Sequence, residues 1–402
     1  MTDKTIPQEQ IASIIDLSGG KDLDECLTCD RCVQSCLLTD VYPSVTPREF
    51  TRKVLAGRIE ELADAEYLWA CTLCAKCMVE CPKNLQLDRT VRLLRGVCRQ
   101  RGRGPGRLEE GLQKIKEVGN SVGVDAEEFA DTVQWLSEEA AEEIEGLDED
   151  FHAPMDKQEA EFLFIPNPRE FTSAPHMFSV YLKFFLAIGA EWTYASNLCD
   201  ISNWAYYMGD DATSEVLVRR AVDTARSLGV KTLVASECGH GFKILRKDAP
   251  GIVGEPLGFD VVSIVELAHD CLQDGRLKLR PAAVGKTVTY HDPCNTGRKA
   301  GLYEAPRALL RHVSREFVEM EPHSLHALCC GGGGSVAQNS EMTEKRMRFG
   351  KAKRDQIVNT GADVVTTTCQ TCLAQLTDLR DFYEVPVEVK SVMELVVEAI
   401  VP

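Results

Sequence analysis

Eight cysteines in the first quarter of the chain fall into two runs of the same spacing, Cys26-x2-Cys29-x2-Cys32-x3-Cys36 and Cys71-x2-Cys74-x2-Cys77-x3-Cys81-Pro82. Thiolates at this spacing let one tight loop wrap three corners of an iron–sulfide cube. The fourth thiolate has to come from elsewhere, and where two such runs share a chain it crosses over. The spacing therefore predicts two cubane [4Fe–4S] clusters, one on Cys26, Cys29, Cys32 and Cys81, the other on Cys71, Cys74, Cys77 and Cys36. Zinc also takes Cys-x2-Cys pairs, but it favours two separated pairs over a triplet with a distant fourth ligand. Leu37 stands where the first run would carry a proline like Pro82; the turn is weaker there, yet no ligand is lost.

Five more cysteines lie far along the chain, at Cys294, Cys329-Cys330 and Cys369-x2-Cys372, with gaps of 34 and 38 residues between the groups. Each follows or ends a β-like run, in HDPC, LCCGGGG and TTTCQTC. Loops after parallel strands converge on one edge of a sheet, so five distant thiols can meet there. Gly331 to Gly334 let the backbone pass close to a bulky group. His291 and His240 are the candidate proton donors, since histidine exchanges protons near neutral pH. His323 and His326, in an irregular loop, read as hydrogen-bonded structural side chains. Cys98 and Cys271 sit in helical segments and read as small hydrophobes. Cys199 and Cys238 have two readings, as packing residues or, with His240, as a zinc site; residues 236–240 could also line the catalytic pocket from a facing half.

The N-terminal runs, separated by helical sequence, resemble the α-helical ferredoxin of multi-subunit oxidoreductases. The C-terminal pattern resembles the cysteine-rich CCG domain of the heterodisulfide reductase catalytic subunit and its relatives. The order of a two-cluster module followed by cysteine-rich repeats is also that family's. The resemblance implies a third, noncubane [4Fe–4S] cluster on Cys294, Cys329, Cys330, Cys369 and Cys372, where disulfide or thiol chemistry occurs. The family's full form has two such repeats. Here Arg169, Leu198 and Gly241 occupy three of the five ligand positions of the first, leaving only Cys199 and Cys238. The expectation is thus three clusters in an oxidoreductase subunit of an anaerobic type, its substrate a thiol, a disulfide or a sulfur-carrier protein. The alternative is a subunit that only relays electrons within a membrane-associated or flavin-bifurcating complex. Partners carrying flavin, haem or iron–sulfur groups are expected, because the glycine run is not G-x-G-x-x-G and gives no sign of flavin or NAD in this chain.

These residues need elements to hold them. The expected architecture is an α-helical two-cluster ferredoxin domain (1–100), a helical connector (101–159), and an α/β domain of two pseudo-repeated halves with parallel strands. The halves are a degenerate repeat (160–280) and the CCG domain with the third cluster (281–402). Candidate strands lie at 162–166, 192–195, 232–235, 287–290, 317–320 and 364–367, alternating with helical stretches such as 214–228 and 341–358. The run 230–241 aligns with 361–372, placing Cys238 on Cys369 and Cys199 on Cys330. Thr46-Pro47-Arg48-Glu49 reads as a helix start with a capping box. Seven arginines between Arg89 and Arg107 read as a solvated face with some ion pairs. The stretch 124–150, with twelve acidic residues and no lysine or arginine, reads as a helix with a solvated acidic side.

The 402 residues carry a formal net charge of -17, which excludes nucleic acid as a general partner. The longest apolar run, 177–190, contains Lys183 and is too short to span a bilayer, so it reads as a buried helix. The first residues, MTDKTIPQEQ, lack the apolar run of a secretory leader. A cytoplasmic location is expected, peripheral to the inner face of a membrane only through partner subunits.

Overall fold

A computed structural model describes Ile6, Glu9, Ala12 and residues 23–26 and 28–401. Residues 28–100 fold as short helices whose apolar core runs on into that of the first α/β half. Thr46 accepts a hydrogen bond from the Glu49 amide (3.3 Å) and Pro47 occupies the first turn of helix Pro47–Leu55. The expected capping box is only half formed, because the Glu49 carboxylate turns outward to Arg52 (3.1 Å). Phe50 and Val54, one turn apart, point inward onto Ile59, Leu62 and Leu68. Helix Leu87–Gln100 closes the region.

The connector includes helix Ala126–Glu143, whose Asp125 and Glu128 form a reciprocal capping box. Phe129, Val133, Leu136 and Ala140 recur at helical spacing and are buried, while most of its acidic residues face solvent.

Beyond it stand two four-stranded, all-parallel sheets. The first has strands β1 (Phe162–Ile165), β2 (Trp192–Thr193), β3 (Thr232–Ala235) and β4 (Asp260–Ser263) in the order β2-β1-β3-β4. The second has β5 (Val284–Tyr290), β6 (Ser314–Glu319), β7 (Val364–Thr367) and β8 (Glu388–Ser391) in the order β6-β5-β7-β8, the same arrangement. Central strands such as β1 and β7 are buried on both faces, as helix-covered parallel strands must be. The edge strands β4 and β8 escape a sequence reading because each is four residues long and opens on an exposed acidic residue. A shared apolar layer runs between the sheets, from Phe164, Tyr181 and Phe185 to Val288, Val364 and Val392. The run read as a buried helix is one, as helix His176–Ala187, and no helix among the described residues is long and apolar enough to cross a membrane.

The arginine run makes the expected ion pairs, at Arg92, Arg99 and Arg103, but is only in part a solvated face. Arg95 is fully buried and donates to the carbonyls of Leu68 (2.9 Å), Cys71 (2.6 Å), Tyr207 (3.1 Å) and Gly334 (2.9 Å). Arg99 pairs with Asp210 (2.7 Å), and Arg107 reaches Ser340 (2.7 Å). The side chains that looked like a surface patch tie the helical region to both α/β halves.

Candidate metal centres

Both ferredoxin-like loops bend in the same way. Thr28 and Asp30 in the first, and Leu73 and Ala75 in the second, have left-handed backbone angles (φ 52, 63, 52 and 59). In each loop these are the second and fourth residues after the leading cysteine. Such angles cost about 1–3 kcal/mol at non-glycine residues, and they turn successive N–H groups toward one concavity. In the second loop the Leu73 and Lys76 amides act on the Cys71 and Cys74 sulfurs, a contact that favours thiolate.

Cys26, Cys29, Cys32 and Cys81 line one hollow. Cys36, Cys71, Cys74 and Cys77 line a second, so the fourth cysteine of each run lies with the other run's triplet. Burial pushes the Cys32 and Cys71 thiols up to about 11 and Cys36 to about 12. A buried thiolate needs a cation, and a metal supplies it. A single zinc ion would draw four sulfurs to within about 4 Å of one another. Among the described residues only His291, Cys330 and Cys372 gather three donors within 4.8 Å. Each quartet instead surrounds a hollow, which fits a cluster better than one ion.

The C-terminal cysteines come together as their strands direct. Cys294 follows β5 and opens a π-helical turn, Cys369 immediately precedes helix Gln370–Phe382 after β7, and Cys372 lies in its first turn. Cys329 and Cys330 arrive on the glycine loop, whose Gly331 and Gly332 amides point at the Cys329 and Cys330 sulfurs (both 3.4 Å). All five are buried, and the Cys330 and Cys372 sulfurs lie 3.2 Å apart. The neighbouring Cys329, Cys372 and His291 side chains hold the Cys330 thiol well below its usual range. His291 is 1% exposed, its two ring nitrogens have no hydrogen-bond partner among the described residues, and one is within reach of Cys330 and Cys372. Buried orphan nitrogens beside clustered thiols suit a site built for a metal group.

This site abuts the second hollow. Cys74 packs against the C-terminal cysteines and Cys329 lines the hollow of the Cys71 loop. The Cys329 thiol donates to Thr72 Oγ1 (3.4 Å). A Cβ at Gly334 would lie 2.7 Å from the Cys71 carbonyl oxygen, and one at Gly333 3.0 Å from that of Thr72. The glycine run is needed for this crossing of two loops. Arg298 donates to the Cys74 carbonyl (2.9 Å) and Lys299 to the Leu73 carbonyl (2.8 Å), with Lys299 also paired to Asp88 (2.9 Å).

His240 is placed differently from His291. It lies edge-on to Tyr207, 4.5 Å between ring centroids, and lines a cleft between the halves together with Arg169 and Thr371. Burial pushes its pKa down to about 4, so the ring is neutral at pH 7. Cys199 lines a separate pocket with Gly241, while Cys238 accepts from the Asn167 amide (3.2 Å), so the zinc reading of Cys199, Cys238 and His240 finds no gathered site among the described residues. His326 bonds Glu80 (2.8 Å) and His323 bonds Ser324 (2.8 Å), as structural side chains do. Cys98 and Cys271 are wholly buried in apolar clusters.

Sequence reasoning missed Arg95, Arg298, Lys299 and Lys353. Lys353 is 1% exposed, donates to Gln356 (2.6 Å), and is pushed down to about 8 by burial, with Cys330 and Cys329 acting against that shift. Arg298 and Lys299 stand four and five residues after Cys294, a position that could have marked them; nothing local marks Lys353 within its helix.

A 4Fe-4S dicluster domain model matches residues 22–85 and a cysteine-rich domain model, CCG, matches 288–377. A dihydromethanophenazine:CoB–CoM heterodisulfide reductase component of Methanosarcina barkeri is 25% identical over 94% of this chain and 94% of its own length. An Hdr-like menaquinol oxidoreductase iron-sulfur subunit of Archaeoglobus profundus is 26% identical over 83% of this chain and 67% of its own. A probable membrane-anchored ferredoxin of Chromohalobacter salexigens is 26% identical over 88% of this chain, which spans only 56% of that protein's length. The chain carries a two-cluster 4Fe–4S domain and a cysteine-rich domain, and its relatives are iron–sulfur proteins of redox systems.

Proposed function

We propose that this chain is an iron–sulfur electron-transfer subunit of heterodisulfide reductase type, with disulfide or thiol chemistry at its C-terminal cysteines. In this reading Cys26, Cys29, Cys32 and Cys81 hold an outer cubane, and Cys71, Cys74, Cys77 and Cys36 an inner one. Cys294, Cys329, Cys330, Cys369 and Cys372 hold a third, noncubane cluster. When bound, these groups supply one-electron transfer and, at the third, iron to which a substrate sulfur can be held. Partner redox proteins deliver or remove the electrons.

The observation that carries the reading is the contact of Cys74 with Cys329 where the two loops cross. It gives the inner set and the C-terminal set a common wall without intervening chain. Around it the protein's own groups have definite work. Cys29 is exposed and the five C-terminal cysteines are buried, so one end faces a partner and the other excludes water. His291, next to Cys330 and Cys372, is placed to hold a proton for a thiol leaving or entering. The cation side chains Arg95, Arg298 and Lys299 fix the carbonyls of the inner loop.

The test is anaerobic purification with iron and sulfide counts, then EPR with and without an added thiol or disulfide. About twelve irons per chain and a signal that changes with thiol support the reading. The same count with indifferent spectra leaves a pure relay; about eight irons removes the third cluster.

A further inference from the structure

A cleft of about 260 Å³ opens between the two halves, room for a ligand of only a few heavy atoms. It is lined by Arg169, Ser173, Tyr207, His240, Gln338 and Thr371 among others. Several of these present polar groups that nothing else engages. The Arg169 side chain, half-buried, makes no hydrogen bond or ion pair among the described residues. The carboxylate nearest to it in charge terms, Asp378, is taken by Arg346 (2.7 Å). The Tyr207 hydroxyl and Gln338 Oε1 are buried and unpartnered among the described residues. His240, 9% exposed, has no hydrogen-bond partner among them either. A guanidinium partly removed from water with no hydrogen-bonded anion is costly to keep unless something pairs with it.

The cleft adjoins the cysteine centre. Thr371 stands between Cys369 and Cys372, and Arg169 is close enough to Cys369 for their charges to interact. Arg169 follows β1 at the place where Cys294 follows β5, so a guanidinium stands where the second half has a thiolate. A single guanidinium with neutral hydroxyl, amide and imidazole neighbours matches a singly charged, planar oxyanion better than a phosphate dianion. Its planar fork pairs with a carboxylate through two parallel hydrogen bonds.

We propose that this cleft binds a small organic carboxylate, its head on Arg169 and its other end turned toward the C-terminal cysteines. The inference rests on the proposed thiol chemistry only for what that other end carries. A carboxylate-bearing thiol or disulfide is then the substrate class.

The test is calorimetric titration of the anaerobic, cluster-loaded protein with 3-mercaptopropionate, 2-mercaptoethanol and propionate. The charged thiol is expected to bind at least tenfold more tightly than the neutral one, a gap corresponding to about 1.4 kcal/mol. Arg169→Gln should erase the gap and Arg169→Lys restore part of it. Ser173→Trp, at the exposed rim, should block 3-mercaptopropionate without touching the core. Equal binding of the two thiols, or a gap that survives Arg169→Gln or Ser173→Trp, would overturn the proposal. Arg169-dependent binding of propionate, with EPR spectra indifferent to both thiols, would support the carboxylate site while removing the thiol chemistry. Absence of binding by all three compounds would end the proposal, whatever the spectra do with other disulfides.

Discussion

Arg95 spends four of its five N–H donors on main-chain carbonyls from three parts of the chain, and it also lies over the Trp69 ring at 5.2 Å. Replacing it with methionine would keep much of the volume but leave four buried acceptors unpaired. Such groups cost roughly 1–3 kcal/mol each when fully orphaned, so Arg95→Met is expected to destabilise the cluster-loaded protein by about 3–5 kcal/mol. Urea unfolding would read this, and a loss under about 1 kcal/mol would mean that water takes over the carbonyls. A second residue sets a pH dependence. Glu170, buried under Tyr181 (2.8 Å), is pushed up to about 7 by burial, and burial also raises Glu237, which lies opposite across the Tyr181 hydroxyl. The folded state thus keeps a proton that the unfolded chain has lost. That contribution is complete below the unfolded value near 4.3 and is lost as pH rises through 7. Glu170→Gln should remove the loss, so its stability relative to the parent should grow between pH 5 and 8, by on the order of 3 kcal/mol. Parallel pH profiles for the two proteins would reject this assignment. The two N-terminal cysteine sets were legible because their spacing is local, whereas the C-terminal five, separated by gaps of 34 and 38 residues, were gathered only through the strand ends and the family resemblance. Arg95 was not legible, since its acceptors lie up to 239 residues away and its neighbours in sequence look like a charged surface.

At the scale of elements, the glycine loop and the Cys71 loop determine whether the inner and C-terminal sites touch. Gly334 has φ +60, and an added Cβ would meet backbone atoms at 2.7 and 2.8 Å, which cannot swing aside as a side-chain tip can. Gly361 has a similar φ of +63 but open space around its missing Cβ. Gly361→Ala should therefore cost only about 1 kcal/mol of backbone strain with iron content unchanged. Gly334→Ala should force the loops apart and lower the iron retained per chain during anaerobic purification. Equal iron in both variants would show that the crossing is tolerant. The elements themselves were mostly readable. Central strands announced themselves as apolar runs such as FLFI and VVTT, and the cysteines at their ends followed. Of the four edge strands, β2 and β6 were read in part, but β4 and β8 were not, because DVVS and EVKS gain strand structure from the neighbour they pair with rather than from their own pattern. The half-formed cap at Thr46 has the same origin: propensity placed the helix start, while a nearby arginine decided where Glu49 points.

For the whole molecule, the two sheets and the helical region arrange the three proposed sites from an exposed end to a buried one, and charge is distributed unevenly along that line. Around the inner set, Arg95, Arg298 and Lys299 each donate to a carbonyl of the Cys71–Cys74 loop, and Arg95 and Lys299 are enclosed with it. Asp88 offsets Lys299 alone. Around the outer set, Arg48 is paired with Asp30 (2.6 Å) and Lys83 with Glu25 (2.8 Å), so the local balance is close to neutral and more exposed to solvent. Positive charge near a cluster favours its reduced, more negative form, and burial keeps that attraction from being screened. The inner set should therefore have the more positive potential, and electrons arriving at exposed Cys29 should move inward. Arg298→Gln removes one of these charges while its carbonyl contact can be partly kept by the amide. An EPR-monitored redox titration should show the inner signal moving to more negative potential and the outer signal standing still. Cys36→Ser and Cys81→Ser identify the two signals, since on the crossed assignment the first alters the inner one and the second the outer. If both signals moved together in Arg298→Gln, the charge would act on the molecule as a whole and the graded line would be lost. If neither moved, the cations would serve only to hold the loops together.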